Sequence, residues 1–260
     1  MTARAASTLR TSRPNPGLLP GVSAALLALL GATTALADGP ADNLPDKVRP
    51  VPPPGIAVPE GIRGDLQQGV DQLRRQVQQV RIQLAAKPDL LRRLPDAEVF
   101  LKSVDWAIRY NEFFKTNEFD AARVQLREGG ARLEALAAGS TPWTSQRGPV
   151  VAGYVSRIDQ SIQPYGVVVP DSYQPGSGRK HRLDFWFHGR GEVLSELAFL
   201  NDRMKGRGEF APADTFVLHL YGRYCNGDRF AGETDFWEAF DDIKRRYPID
   251  RKSTRLNSSH

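Results

Sequence analysis

The sequence predicts an α/β fold in which a small N-terminal helical bundle precedes a sheet that opens with a β-hairpin and continues as parallel strands joined by helices. Three observations support this prediction. Apolar residues recur at spacings of three and four from Ile62 to about Leu136, which is typical of amphipathic helices. Short β-rich runs replace that pattern after Pro149. Strand-like and helix-like segments then alternate, which favours a parallel sheet.

The chain begins like an exported protein. Arg4, Arg10 and Arg13 precede the apolar stretch Gly21–Leu36, and Ala35-Leu36-Ala37 has the small residues of a cleavage site. We expect residues 1–37 to be a signal peptide, so that the mature protein is secreted or periplasmic. The apolar stretch is too short and too interrupted to span a bilayer comfortably. A retained anchor is the alternative, but we expect no stable membrane span after cleavage.

The other end of the chain changes the charge balance. Residues 250–260 read DRKSTRLNSSH, the translation of a common sequencing adapter, and we interpret Asp250–His260 as an adapter-derived tail. Of the 35 Lys and Arg residues, three lie in the signal peptide and three in this tail, so residues 38–250 hold 29 basic and 30 acidic residues. The pI near 9.4 is therefore no evidence for binding to nucleic acid or to an anionic membrane.

A proline-rich segment separates the signal peptide from the first helix. Residues 38–61 have almost no periodic apolar pattern, which predicts an extended linker that does not pack. The first amphipathic helix runs from Ile62 to about Leu84 and ends before Lys87-Pro88. Its apolar stripe is also compatible with a coiled-coil seam, although packing within the bundle is the favoured interpretation.

Two further helices complete the predicted bundle over residues 62–140. Asp96 is a candidate N-cap for the second helix, whose apolar pattern extends towards Phe113. Asn117 or Asp120 opens the third helix, and Gly139 occupies the position of a C-terminal cap.

Residues 141–249 form the predicted α/β part. Its strands should comprise an antiparallel hairpin followed by two parallel strands, with one helix between the parallel strands and one after them. The acidic start and basic end of the last helix complement the helix dipole. The predicted elements are strands Val150–Ile158, Tyr165–Pro170, Arg182–Phe187 and Thr215–Tyr221, and helices Val193–Met204 and Glu233–Tyr247.

The segment with the clearest chemistry is LDFWFHGRGE, in which an apolar strand ends in His188-Gly189-Arg190-Gly191 just before a helix. A glycine-lined turn there lets backbone N–H groups point into a crevice and stabilise an oxyanion. The alternative is that the glycines serve only a tight connection. A second candidate loop follows the next strand, where ligands of open α/β sheets bind. Its possible crevice residues are Tyr221, Arg223, Tyr224 and Asn226; a solvated loop is the alternative.

The His188–Gly191 turn resembles the oxyanion loop of α/β hydrolases, the HGGG-type element of esterases and lipases, with Arg190 in place of a glycine. Two further segments resemble secreted hydrolases related to prolyl oligopeptidases. They are YVSRIDQSIQPYGVVVP and LYGRYCNGDRFAGETDFWEAFDDIKRRYPID. The resemblance covers about Trp143 to Ile249. It implies that the amides of Gly189 and Arg190 hold the oxyanion and that His188 orients the loop rather than acting as the base.

The resemblance implies an exported serine hydrolase of the peptidase or carboxylesterase type, with a peptide or an ester as substrate and no metal or organic cofactor. No G-x-S-x-G motif occurs. The nucleophile, acid and base of a Ser-His-Asp triad are therefore expected beyond Ile249, which makes this chain an inactive N-terminal fragment. In the order usual for the family, the strand Arg182–Phe187 would lose its neighbour and expose an apolar edge. The rival hypothesis is a non-catalytic binding or scaffold protein with a hydrolase-like sheet.

Other candidate residues have simpler interpretations. His219 lies in a strand and is predicted to be a hydrogen-bonded core histidine, whereas Arg190 could bind a substrate or form a structural ion pair. Cys225 is the single cysteine, which excludes a cysteine-based metal site, and it is predicted to be inert. The segment after Gly189 has leucine at the third glycine position of a dinucleotide fingerprint, and P-loop, HExxH and calcium-loop motifs are absent. The oligomeric state is left open.

Overall fold

The computed structural model describes residues 50–189, 191–223 and 230–250, together with the backbone of residues 255–258. The predicted signal peptide and most of the predicted linker lie outside these residues. From Pro50 onward the chain forms one compact unit, so the bundle and the sheet belong to the same body. Among the helices that the structure describes, none combines the length and the apolar character needed to cross a bilayer.

The helical bundle follows the predicted pattern. Helices α1, α3 and α4 pack against one another, and α1 buries one apolar stripe that includes Leu66, Leu73 and Val80. Gly139 ends α4 with a left-handed φ of 80°, and its N–H donates to the carbonyl of Leu136. This is the glycine C-cap that the sequence predicts. The helices are α1 (Glu60–Gln83), α2 (Pro88–Leu91), α3 (Pro95–Arg109) and α4 (Glu118–Ala137).

Asp96 does not cap α3, so that prediction is wrong. The N-cap is Leu94, and Asp96 lies inside the first turn with no exposed surface. Its carboxylate faces the sheet instead of the helix end, where it accepts hydrogen bonds from Trp143 Nε1 at 2.8 Å and from the amide of Gly153 at 3.0 Å. A residue type that is common at helix ends is used here for a tertiary contact.

The end of the predicted linker packs against the bundle, which the sequence did not predict. The amide of Ile56 donates to the carbonyl of Phe113 at 2.7 Å, and Ile56 and Val58 lie against the buried cluster around Leu66. Proline lowers the entropy that an extended segment loses when it is fixed, so a proline-rich composition does not prevent docking.

The α/β part has the predicted hairpin and parallel strands, which confirms the fold class. In the described chain the strand order is β1-β2-β4-β3-β5. β1 pairs antiparallel with β2, β2 antiparallel with β4, and β4 parallel with β3. Helix α5 connects β3 to β4, and α6 follows β4. The bounds are β1 Gly148–Val155, β2 Ile162–Val169, β3 Arg182–Phe187, α5 Glu196–Lys205, β4 Thr215–Leu220, α6 Ala231–Arg246 and β5 Arg255–Ser258.

The outer edge of β3 is covered, contrary to the expected unpaired edge. Residues 255–258, which the sequence assigns to the adapter-derived tail, form β5 and pair in parallel with β3 from Asp184 to Phe187. Backbone hydrogen bonds between strands need no particular side chains. The backbone of residues 255–258 can therefore satisfy the edge of β3 whatever side chains it carries.

The bundle reaches the sheet through a close backbone approach at Gly153 of β1. A Cβ atom placed on Gly153 would lie 2.5 Å from the carbonyl oxygen of Pro95 and 2.5 Å from Cγ1 of Val99. Only glycine permits α3 to approach β1 this closely. On the opposite face of the sheet, α6 packs Ile243 and Phe240 towards Phe185 and Phe216 of the strands.

We predict that Gly55→Ala destabilises the protein, because the new Cβ would lie 1.9 Å from the carbonyl oxygen of Asn111. Forcing the segment away from the bundle should lower the free energy of unfolding by about 1–3 kcal/mol. Chemical denaturation measures this change. Gly61→Ala is the matched control, since a Cβ there meets no atom within 4 Å. Equal stability of the two variants would show that the segment does not dock.

Candidate functional site

The two candidate loops meet at one edge of the sheet. β3 and β4 are parallel, so the turn that begins at His188 and the segment Tyr221–Arg223 both follow carboxyl ends of strands. The side chain of His188 joins them: Nε2 lies 3.0 Å from the carbonyl oxygen of Tyr221, and Nδ1 lies 2.8 Å from that of Gly189. Carbonyl oxygens only accept hydrogen bonds. A neutral His188 ring therefore donates to one of these two carbonyls, and its other nitrogen faces the second carbonyl rather than a nucleophile.

Gly189 presents an available N–H group at this edge. Among the described residues, nothing accepts a hydrogen bond from its amide. The residue is exposed, and an added Cβ would meet no atom within 4 Å. An N–H group in this position can donate to an oxygen that enters the crevice. Arg190, the second predicted donor, lies outside the described residues.

Gly191 lies in a tighter environment. A Cβ on Gly191 would lie 3.0 Å from Cβ of Leu194, and its carbonyl accepts from the amide of Leu194 at 3.4 Å. The turn then enters α5, whose N-cap Ser195 accepts a hydrogen bond from the amide of Ala198 at 3.2 Å. Gly191 thus serves the strand-to-helix connection.

Tyr221 holds the turn from the β4 side. Its side chain is 5% exposed, its hydroxyl lies 3.5 Å from the carbonyl oxygen of Leu194, and its ring packs on Phe199 with centroids 5.3 Å apart. Since its own carbonyl faces His188, Tyr221 links the start and the end of the turn to β4. These contacts give it a structural role beside the crevice.

Arg223 ties the end of β4 to the β1–β2 hairpin and to α6. Its guanidinium donates to Asp235 at 2.8 Å, to Asp159 at 2.7 Å and to Oγ of Ser156 at 2.8 Å. Its φ of 54° lies in the left-handed region, where a non-glycine residue is strained. The three bonds hold that conformation. Tyr224 and Asn226, the other two predicted crevice residues, lie outside the described residues, as does Cys225.

His219 is buried in β4, as predicted, but only one of its ring nitrogens is bonded. Nδ1 lies 3.0 Å from the guanidinium of Arg203, which can only donate, so Nε2 carries the proton. Nε2 is buried and has no partner within the part of the chain that the structure describes. Burial, as the largest cause, together with the charges of Arg203 and His188 lowers the pKa of His219 to about 3. The ring is therefore neutral near pH 7.

The sequence interpretation missed two buried carboxylates on α6. Asp235 and Glu238 are 3% and 4% exposed, and each leaves one oxygen without a hydrogen-bond partner in the described chain, Oδ1 and Oε2 respectively. Burial raises the pKa of Asp235, while Arg223 acts in the opposite direction. The helical period places both residues on the same face as Ala239 and Asp242. The sequence signal for these two buried carboxylates is that acidic residues occur on the same helical face as apolar ones.

Comparisons with known proteins do not assign a family. No protein-family model matches the chain, and no curated protein matches it. Among solved structures, a thermostable esterase aligns over 42% of this chain and 34% of its own length, with a TM-score of 0.29 and 16% identity. A ferulic acid esterase aligns over 44% of this chain and 50% of its own length, with a TM-score of 0.29 and 20% identity. The match thus spans half or less of either esterase.

Within the described ranges, no group of three or more His, Cys, Asp or Glu residues could hold a metal ion.

We predict that the NMR signals of the His219 ring do not shift between pH 8 and pH 5, because its folded pKa is about 3. The unfolded chain takes up a proton near pH 6.5. His219 therefore contributes stability above that pH, and the contribution is lost as the pH falls from about 6.5 towards 3. The stability advantage of the wild type over His219→Gln should shrink from pH 7 to pH 5 in chemical denaturation. A His219 signal that titrates near pH 6.5 would contradict the buried neutral ring.

Proposed function

We propose that this chain carries the N-terminal part of an exported serine hydrolase that acts on an ester or amide carbonyl of a peptide or carboxylic ester. In this proposal a serine beyond Ile249 attacks the carbonyl, a histidine oriented by an acid takes the serine proton, and the turn after β3 binds the developing oxyanion. The present chain lacks the triad and is inactive on its own.

One observation carries the proposal: the amide of Gly189 is exposed at the carboxyl edge of β3 and has no acceptor among the described residues. An exposed N–H group that has no acceptor among the described residues, at the edge of the sheet where ligands bind, is suited to an incoming oxygen. The contacts of the His188 ring nitrogens with the carbonyl oxygens of Gly189 and Tyr221 support this role, since they fix the direction of the turn.

The contacts of Tyr221 and Arg223 make these residues supports of the site. Both hold the segment after β4 by bonds to neighbouring elements, and such bonds keep a catalytic loop in a defined geometry.

A non-catalytic scaffold is the competing function. It is favoured by the absence of any G-x-S-x-G motif in the 260 residues and by the contacts of both His188 ring nitrogens with main-chain carbonyls. Sequencing the native gene past the codon for Ile249 separates the two. A G-x-S-x-G motif within about twenty residues, the length of one short strand and turn, supports the hydrolase. Another residue at the serine position supports the scaffold.

We predict that the extended protein reacts with a fluorophosphonate probe at that serine and that Gly189→Pro lowers kcat for ester hydrolysis by about 10²–10³-fold, because proline has no N–H to donate. Gly189→Ala is the matched control: it keeps the N–H, and its Cβ meets no atom within 4 Å. Its kcat should stay close to that of the wild type. Serine labelling with equal kcat in both variants would remove Gly189 from the mechanism, whereas absence of labelling would contradict the hydrolase itself.

A further inference from the structure

We propose that a cleft between the helical bundle and α6 binds an alkylammonium or alkylguanidinium group, with Glu238 as its anionic acceptor. The cleft has a volume of about 510 Å³, within the range of sites for small ligands. Residues of α1, α2 and α3 form one wall, α6 forms the other, and the end of β1 forms the back. This site does not depend on the proposed hydrolase activity.

One carboxylate oxygen of Glu238 receives no hydrogen bond from the described residues. Its Oε1 accepts hydrogen bonds from the amide and from Nε of Arg157, at 2.9 and 3.1 Å. Its Oε2 is buried and has no partner among the described residues. Asp235, one turn earlier on the helix, likewise leaves Oδ1 unbonded. Of these two residues only Glu238 lines the cleft. Buried carboxylate oxygens are rarely left unpaired, so Oε2 of Glu238 indicates a ligand that brings N–H donors.

The charge around this end of the cleft favours a cation. The carboxylates of Glu238 and Asp235, with Asp159 beyond them, share the guanidinium groups of Arg157 and Arg223. Three carboxylates thus face two guanidinium groups. Asp241, which also contacts Arg157 at 3.5 Å, is balanced by Lys244 at 2.8 Å. A small excess of negative charge therefore remains beside the unbonded oxygens.

The other arginines that line the cleft do not reverse this balance. Arg81 is paired with Glu98, and Arg245 with Asp242 at 3.3 Å. Arg92 is paired with Asp89 at the mouth. Each of these cations already has a carboxylate partner, so none of them requires an anionic ligand.

Apolar side chains line the approach to Glu238. Leu91 and Pro95 from the bundle, and Tyr154 and Val155 from β1, contribute carbon surface to the cleft. Carbon surface of this kind accommodates an aliphatic stem, as it does for the methylene groups of lysine and arginine. The ligand class that fits both features has a short alkyl chain and a terminal cation with several N–H donors.

The cleft is separate from the Gly189 turn. β1 and β3 lie on either side of β2 and β4 in the sheet, so about three strand spacings, on the order of 14 Å, separate them. Binding at the cleft can therefore be measured in the chain as it stands, whether or not the protein is a hydrolase.

The test is calorimetric titration of the 260-residue chain with n-butylguanidinium and with n-butylurea, which has nearly the same shape and no charge. We expect saturable binding of one n-butylguanidinium and at least tenfold weaker binding of the urea. Glu238→Gln should weaken the guanidinium at least tenfold. Asp120→Asn is the matched control, because it removes one negative charge at a side chain that is 83% exposed on α4 and does not line the cleft. Its affinity should change less than twofold.

A second variant covers the case in which Glu238→Gln perturbs folding. Arg157 is 72% exposed and competes for Glu238, so Arg157→Gln should strengthen n-butylguanidinium binding threefold or more. The proposal is overturned if the wild type shows no saturable binding, if n-butylurea binds equally well, or if Arg157→Gln leaves the affinity unchanged.

Discussion

The buried ion pair between Asp96 and Arg246 is the interaction on which the position of the bundle against the sheet depends. Both side chains are at most 3% exposed, and Arg246 Nη1 lies 2.7 and 2.8 Å from the two carboxylate oxygens of Asp96. Burial alone would raise the pKa of Asp96, but the charge of Arg246 and the hydrogen bond that it donates hold that pKa below its usual value. The ionised pair joins the first turn of α3 to the last turn of α6.

Gly153 of β1 completes this joint, and its consequences reach the candidate site. Its amide donates to Asp96 at 3.0 Å and its carbonyl accepts from Arg246 at 2.8 Å, so bundle, sheet and α6 share one point of contact. With the end of α6 fixed there, its start reaches the carboxyl edge of the sheet, where Asp235 receives a hydrogen bond from Arg223. The segment after β4 is thereby held beside the turn that follows β3. The cleft that contains Glu238 lies between the same partners.

The fold class and most elements could be predicted from periodicity. Elements such as α1, β3 and β4 bury one face or both faces, and that burial leaves a pattern of apolar residues in the sequence. The Asp96–Arg246 pair could not be predicted, since its partners are 150 residues apart and each has a common local role near a helix end.

At the candidate site, the glycine turn was predictable from its position after a strand. The bonds of Arg223 to Asp159 and Asp235 were not, because side-chain contacts across loops leave no periodic signal. Docking of Ile56 and pairing of β5 involve backbone groups, which composition does not reveal.

A double-mutant cycle on Asp96→Asn and Arg246→Met, followed by chemical denaturation of the 260-residue chain, tests this account most directly. Arg246→Met leaves the buried Asp96 carboxylate without its guanidinium partner and should lower the free energy of unfolding by about 3–5 kcal/mol. Asp96→Asn should cost less, because Arg246 keeps its ion pair with Asp242 at 2.5 Å. The double variant should lose less than the sum of the two, by about 2 kcal/mol, because the uncompensated charge is then absent. Losses that add to within about 0.5 kcal/mol would contradict a coupled pair as the joint between bundle and sheet.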